Sequence, residues 1–88
     1  LARRFGMSAR SFARRFVQAT GEPPLTYLHG LRVEAAKHLL ENGGRTLTEI
    51  AAAVGYEDVA FFRALFRRRT GVTPVAWRGR FARPRRAS

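Results

Sequence analysis

Arg10 and Arg14 stand four residues apart, which on a helix places them one above the other on a single face. Each planar guanidinium is a rigid fork of N–H donors, able to make two parallel bonds to a carboxylate, a phosphate or the O6 and N7 of a guanine. Phe12 and Phe16 are also four apart, on a different face, so the same helix would turn phenylalanines inward and arginines outward. Thr46 and Thr48 stand at a helix start, where a backbone N–H can bind a phosphate oxygen, although capping accounts for Thr46 equally well.

Other chemistry has little to build on. The chain has no cysteine, and His29 and His38 lie on nearly opposite sides of one helix, with no carboxylate at metal spacing. They read as helix-surface histidines, with no metal and no cofactor. There is no Gly-rich phosphate loop and no nucleophile beside a base, and the adjacent Glu57 and Asp58 fit helix capping, so no enzyme is expected. What stands out is charge. Seventeen Lys and Arg, all but Lys37 arginine, face 6 Asp and Glu, a formal net charge of +11. A polyanionic partner follows.

The elements that must carry these side chains are helical throughout. At 88 residues and 45% hydrophobic, the chain has room for one small folded domain. It has no alternating stretch long enough for a strand, so the fold class is all-α. Leu1 to Phe5 reads as a helix end stopped by Gly6, and Ser8 as the N-cap of a helix to about Thr20. After Gly21, Pro24 opens a linking helix through Leu25, Leu28, Leu31, Ala35, Ala36, Leu39 and Leu40. That helix, over residues 24 to 41, is about 27 Å long at 1.5 Å per residue. Thr46 to Glu49 spells a capping box for a short helix to about Val54. Asp58 caps another to about Thr70, and Pro74 starts a last one with Trp77 and Phe81, which runs into a basic tail over 83 to 88. Phe5, Phe12, Phe16, Phe62, Phe66 and Trp77 are expected in the core, and Phe61 has a weaker claim because Phe62 already holds the inward position.

The chain also repeats itself. FARRFVQATGEPP at 12 to 24 returns as FRALFRRRTGVTP at 62 to 74, pairing Phe12 with Phe62, Phe16 with Phe66, Thr20 with Thr70 and Pro24 with Pro74. Upstream the offset shortens by one, pairing Ala2 with Ala51 and Gly6 with Gly55. The slip falls in a turn, where a change of length is tolerated; inside a helix it would rotate every later side chain by about 100°. Two copies of a short helix, a glycine turn and a longer helix describe two helix-turn-helix units, whose second helices can enter a DNA major groove.

LTEIAAAVGYEDVAFFRALFRRRTGVTPVAWR resembles the signature of the AraC/XylS family of bacterial transcription regulators, and LARRFGMSARSFARRF and GLRVEAAKHLL resemble its upstream half. The match covers about residues 1 to 81. It implies a homeodomain-like tandem, with unit one over 1 to 23, the linking helix over 24 to 41 and unit two over 46 to 82. Leu1 falls within a helical pattern, so the chain reads as a fragment that lacks the family's first helix. GYEDVAFFRALFRRRTG and RSFARRF are most similar to the branch with an N-terminal domain like a glutamine amidotransferase.

The resemblance places base contacts at Arg10, Ala13 and Arg14 in unit one and at Val59, Ala60, Arg63 and Ala64 in unit two. Arg67 and Arg68, with Thr46 and Thr48, are assigned to the DNA backbone, while Arg15 and Arg69 fit plain solvation. Ala60 and Ala64 depart from the serine and arginine frequent in the family, so unit two is expected mainly to grip phosphates. The implied partner is double-stranded DNA in a bacterial cytoplasm, with RNA polymerase a candidate second partner and any oligomerisation assigned to a domain upstream. The rival role is nonspecific binding of polyanions or of anionic membrane surfaces, to which Arg-rich amphipathic helices with Phe and Trp are also suited. That role predicts apolar faces left open.

Overall fold

A computed structural model describes residues 8 to 82; the expected helix end at Leu1 to Phe5, Gly6 and the tail over 83 to 88 lie outside them. The described residues form five helices and no strand: α1 (Ala9–Thr20), α2 (Pro24–Glu41), α3 (Leu47–Ala53), α4 (Val59–Thr70) and α5 (Pro74–Phe81). Their boundaries are set by local chemistry. The Ser8 hydroxyl accepts from the amide of Ser11, and Asp58 Oδ1 accepts from the amide of Phe61 at 3.2 Å. Thr46 and Glu49 complete a reciprocal capping box. Pro24 and Pro74 each occupy a first helical position, where the missing N–H costs nothing.

The two copies of Thr-Gly-x-x-Pro fold alike. Gly21 (φ 89°) and Gly71 (φ 86°) both adopt the left-handed conformation that ends a helix. Their amides reach back to the carbonyls of Val17 and Arg67. The hydroxyls of Thr20 and Thr70 lie 2.7 and 2.8 Å from the carbonyl oxygens of Phe16 and Phe66, and each also accepts from the amide two residues ahead. The repeat is a device that stops one helix and aims the next.

One core joins α3, α4 and α5 to the C-terminal half of α2. It consists of Val33, Ala36 and Leu40 from α2, Ile50 and Ala51 from α3, Val54 and Tyr56 from the turn, and Phe62, Leu65 and Phe66 from α4. Pro74 and half-buried Trp77 close it from α5. Rings step through it in sequence, from Tyr56 to Phe62 (6.0 Å between centroids), to Phe66 (6.0 Å) and to Trp77 (5.9 Å, edge-on). Trp77 Nε1 donates to Glu41 Oε2 at 2.9 Å, and the Arg78 guanidinium donates to the carbonyls of Leu40 and Arg45. In this way α5 fastens the loop between α2 and α3.

The N-terminal region packs more openly, which corrects the expected core. Phe62 and Phe66 are fully enclosed, but α1 buries no residue; Phe16 is half-buried against the edge of Tyr27 (5.4 Å) and Phe12 is 43% exposed. On α2, Leu25, Leu28 and Leu31 are exposed, and Val33, absent from the expected apolar row, is buried. For Leu31 the reason is angular, since at 100° per residue it lies about 140° around the helix from Ala36; Leu25 lies within about 20° of Ala36 in angle but roughly 16 Å back along the axis, at the N-terminal end of α2 and away from Val33, Ala36 and Leu40. Toward α1, α2 presents Tyr27, which meets Phe16 edge-on.

Phe66→Ala should therefore cost roughly 3 to 5 kcal/mol by opening a core cavity, whereas Phe12→Ala should cost about 1 to 2 kcal/mol. Denaturant midpoints of the two variants check this. Equal losses would place Phe12 in a core of its own.

Candidate nucleic-acid interface

Packing decides which side of α4 faces outward. With Phe62, Leu65 and Phe66 fixed in the core, the opposite side presents two neighbouring rows at four-residue spacing: Val59, Arg63 and Arg67, and beside them Ala60, Ala64 and Arg68. All of these are exposed except Val59, which is half-buried against the core. On α1 the inward side chain is Phe16, and Arg10 and Arg14 are exposed with half-buried Ala13 between them. Ser11, Arg14, Arg15 and Gln18 line a shallow polar cleft on the same helix. The seven expected base-contacting residues thus fall on two helices, three on α1 and four on α4.

The two faces differ in charge. The first turn of α1 contains no acidic residue, and the helix exposes three arginines, Arg10, Arg14 and Arg15. The start of α4 carries Glu57 and the capping Asp58 beside apolar Val59 and Ala60, so its cationic character is displaced to Arg63 and to the last turn. There Arg67, Arg68 and Arg69 sit at the negative end of the helix dipole, which stabilises the helix even without a ligand.

At α3 the capping role of Thr46 is fully realised. Its hydroxyl accepts from the Glu49 amide at 3.1 Å and its own amide donates to Glu49 Oε1 at 2.8 Å. Thr48, one position into α3, is exposed.

Several contacts were not anticipated from the sequence. Arg69, expected to be solvated, turns back from α4: its Nη2 lies 3.9 Å from Glu22 Oε1, and its guanidinium rests against Gly30 of α2. His29, expected on the helix surface, pairs through Nδ1 with the Tyr56 hydroxyl and stacks on that ring, with Phe61 edge-on at 5.9 Å. Arg32 lies over the Tyr56 ring at 5.2 Å and against Gly55. The one signal available in the sequence was Gly30, a glycine inside a helix, where it is costly unless something needs the space of its side chain.

Among the described residues, no group of three His, Cys, Asp or Glu could hold a metal ion, and no helix is long and apolar enough to cross a membrane.

Comparison with known proteins places this geometry. A family model described as a helix-turn-helix domain matches residues 1–80. An HTH-type transcriptional regulator of Mycobacterium tuberculosis is 40% identical over 82 residues, which is 93% of this chain and 32% of that protein. The chain spans about a quarter to a third of the curated relatives it matches. The crystal structure of the DNA-binding domain of AdpA, solved in complex with a target DNA, is 39% identical with a TM-score of 0.84, covering 91% of this chain and 72% of that one. A transcriptional regulator from Chromobacterium violaceum, described as AraC-type, is 30% identical with a TM-score of 0.82, covering 96% of this chain and 75% of that one. With the family model matched over nearly its whole length and an AraC-type regulator superposing on most of its residues, the chain belongs to the AraC-type helix-turn-helix family.

Proposed function

We propose that the chain binds duplex DNA sequence-specifically as the DNA-binding domain of a bacterial transcription regulator and has no catalytic role. The observation that carries this is the placement of arginine rows opposite buried phenylalanines on α4, and opposite half-buried Phe16 on α1, on a scaffold like that of a domain crystallised with its target DNA. The functional division is unit one over 1 to 23, the linking helix and unit two over 46 to 82. Unit one reads bases through Arg10, Ala13 and Arg14. Unit two contributes Arg63 and the small side chains Val59, Ala60 and Ala64, which can meet thymine methyls, while Arg67 and Arg68 grip phosphates. Thr48, with the start of α3 that Thr46 caps, touches the DNA backbone.

The 18-residue α2 is about 27 Å long, less than the roughly 34 Å between successive major-groove segments on one face of straight B-DNA. If α2 holds the two recognition helices closer than one helical repeat, either the DNA bends, a deformation that can cost several kcal/mol, or only one unit docks fully. Cytoplasmic action, contact with RNA polymerase and oligomerisation through a domain outside this chain complete the proposal; the curated relatives are long enough to hold such a domain. Phe12, Leu25 and Leu31 are exposed, but the rival role, coating of polyanions or membrane surfaces, is not supported by the relatives, which are by name a transcriptional regulator and a DNA-binding domain. It gives no account of the repeated helix stops or of the closed core beneath α4.

Selection of bound sites from random duplexes at fixed salt tests the proposal directly. Arg14→Ala should relax preference at one or two base positions and cost about 1 to 3 kcal/mol on the best site; unchanged relative affinities across the library would remove Arg14 from base reading. Replacing Arg67 and Arg68 together by Ala should weaken all sequences alike and flatten the slope of log K against log salt by about 2. A loss confined to one sequence would make them readers instead.

A further inference from the structure

Three consecutive arginines end α4, and they do not share one task. Arg67 and Arg68 point to solvent, whereas Arg69 folds back across α2 toward the turn that follows α1. Two observations define its seat. Its Nη2 lies 3.9 Å from Glu22 Oε1, with the two side chains still 30% and 35% exposed, so the ion pair alone is a weak tether. A Cβ added at Gly30 would stand 2.7 Å from the same nitrogen and 3.4 Å from Cζ. The guanidinium thus occupies the space that any larger residue at position 30 would fill. Among the described residues this is the ion pair that connects α4 directly to the turn after α1, with α2 as the floor beneath it.

We infer that Arg69 is a positioning residue: seated on Gly30 and paired with Glu22, it fixes the angle between α1 and α4, and with it the spacing of the two DNA segments the chain accepts. The inference rests on the proposal that α1 and α4 dock into successive groove segments. A rigid pair of helices is sensitive to spacing because each added base pair moves one segment by about 3.4 Å and rotates it by about 35°. Freed from Arg69, α1 is held to α2 by half-buried contacts such as Phe16 on Tyr27 and can adjust to a shifted segment.

Gly30→Ala separates positioning from stability. Glycine inside a helix is less favourable than alanine, so the substitution supports α2 while it forces the flexible end of Arg69 to shift from its seat. The test uses the 88-residue chain and the duplex that this chain itself selects from a random library, remade with one or two base pairs inserted or removed between the two protected segments. The parent should lose affinity steeply off its preferred spacing. Gly30→Ala and Arg69→Ala should each shrink that penalty by roughly fivefold or more, a factor at the low end of couplings between sites. Gly30→Ala should do so without a fall in melting temperature, and Arg69→Lys, which keeps the charge but loses the planar fork, should be intermediate. Variants that keep the parent's spacing profile would overturn the inference, as would an equal weakening at every spacing, which would make Arg69 a phosphate contact. A parent that selects a sequence but ignores spacing also overturns it. A parent that selects no sequence would sink the DNA-reading proposal itself.

Discussion

The enclosure of Phe62 and Phe66 is the constraint on which the rest depends. Both rings are fully buried against Val33, Ala36, Leu40 and Ile50, and on a helix of 3.6 residues per turn, fixing one face fixes the other. Once these rings are inside, Arg63, Arg67 and Arg68 have no way to lie except outward, clustered on a surface that is costly in a chain of net charge +11 unless a polyanion lies against it. The same rings bring α4 onto α2, so the orientation of the cationic face is tied to the axis of the longest helix. Fold and candidate interface follow from one burial event.

The two ends of the molecule use that principle unequally. Unit two has a closed core, a series of tilted and edge-on rings and an α5 that secures the loop into α3 through Trp77 and Arg78. Around α1 nothing described is fully buried, although α1 carries the more concentrated cationic start. The better-packed α4 therefore has Glu57, Asp58, Val59 and Ala60 at its leading edge, whereas α1, which buries no residue, presents Arg10 and Arg14. Under the proposed function, a division in which unit two anchors and unit one discriminates fits this difference, because anchoring needs rigidity and phosphate contacts whereas discrimination needs side chains matched to base edges.

Helix boundaries were almost fully legible in the sequence. Ser8, Thr46, Asp58, Gly21, Gly71, Pro24 and Pro74 all act where their local chemistry indicates, because capping and helix termination are settled within four or five residues. Burial was legible only in part. Phe62 and Phe66 were placed correctly, but Phe12 shares their periodic position without their enclosure, since periodicity states which face a residue occupies and not what covers that face. Val33 was overlooked for the same reason: the apolar row through Leu28 and Leu31 gave a plausible seam, and only the approach of α3 and α4 selects the other one. At the interface, the outward arginines followed from helical geometry. Arg69, His29 and Arg32 did not, because their partners lie 47, 27 and 24 residues away in Glu22, Tyr56 and Tyr56, and no local pattern encodes such pairs.

The internal repeat shows how those long-range contacts could arise within a duplicated frame. Thr20, Gly21 and Pro24 match Thr70, Gly71 and Pro74 in sequence and in backbone, yet the slots between them differ. Glu22 stands where unit two has half-buried Val72, and Arg69 stands where unit one has exposed Ala19. The motif needs its glycine for the turn and its threonine to hold the last helical carbonyl; its remaining positions are free to meet whatever packs nearby. In unit two that slot holds half-buried Val72. In unit one it faces the partner unit and offers a carboxylate to an arginine sent back from α4. Repetition supplied two equivalent helix stops, and the residues released from that task became the means of setting one unit against the other.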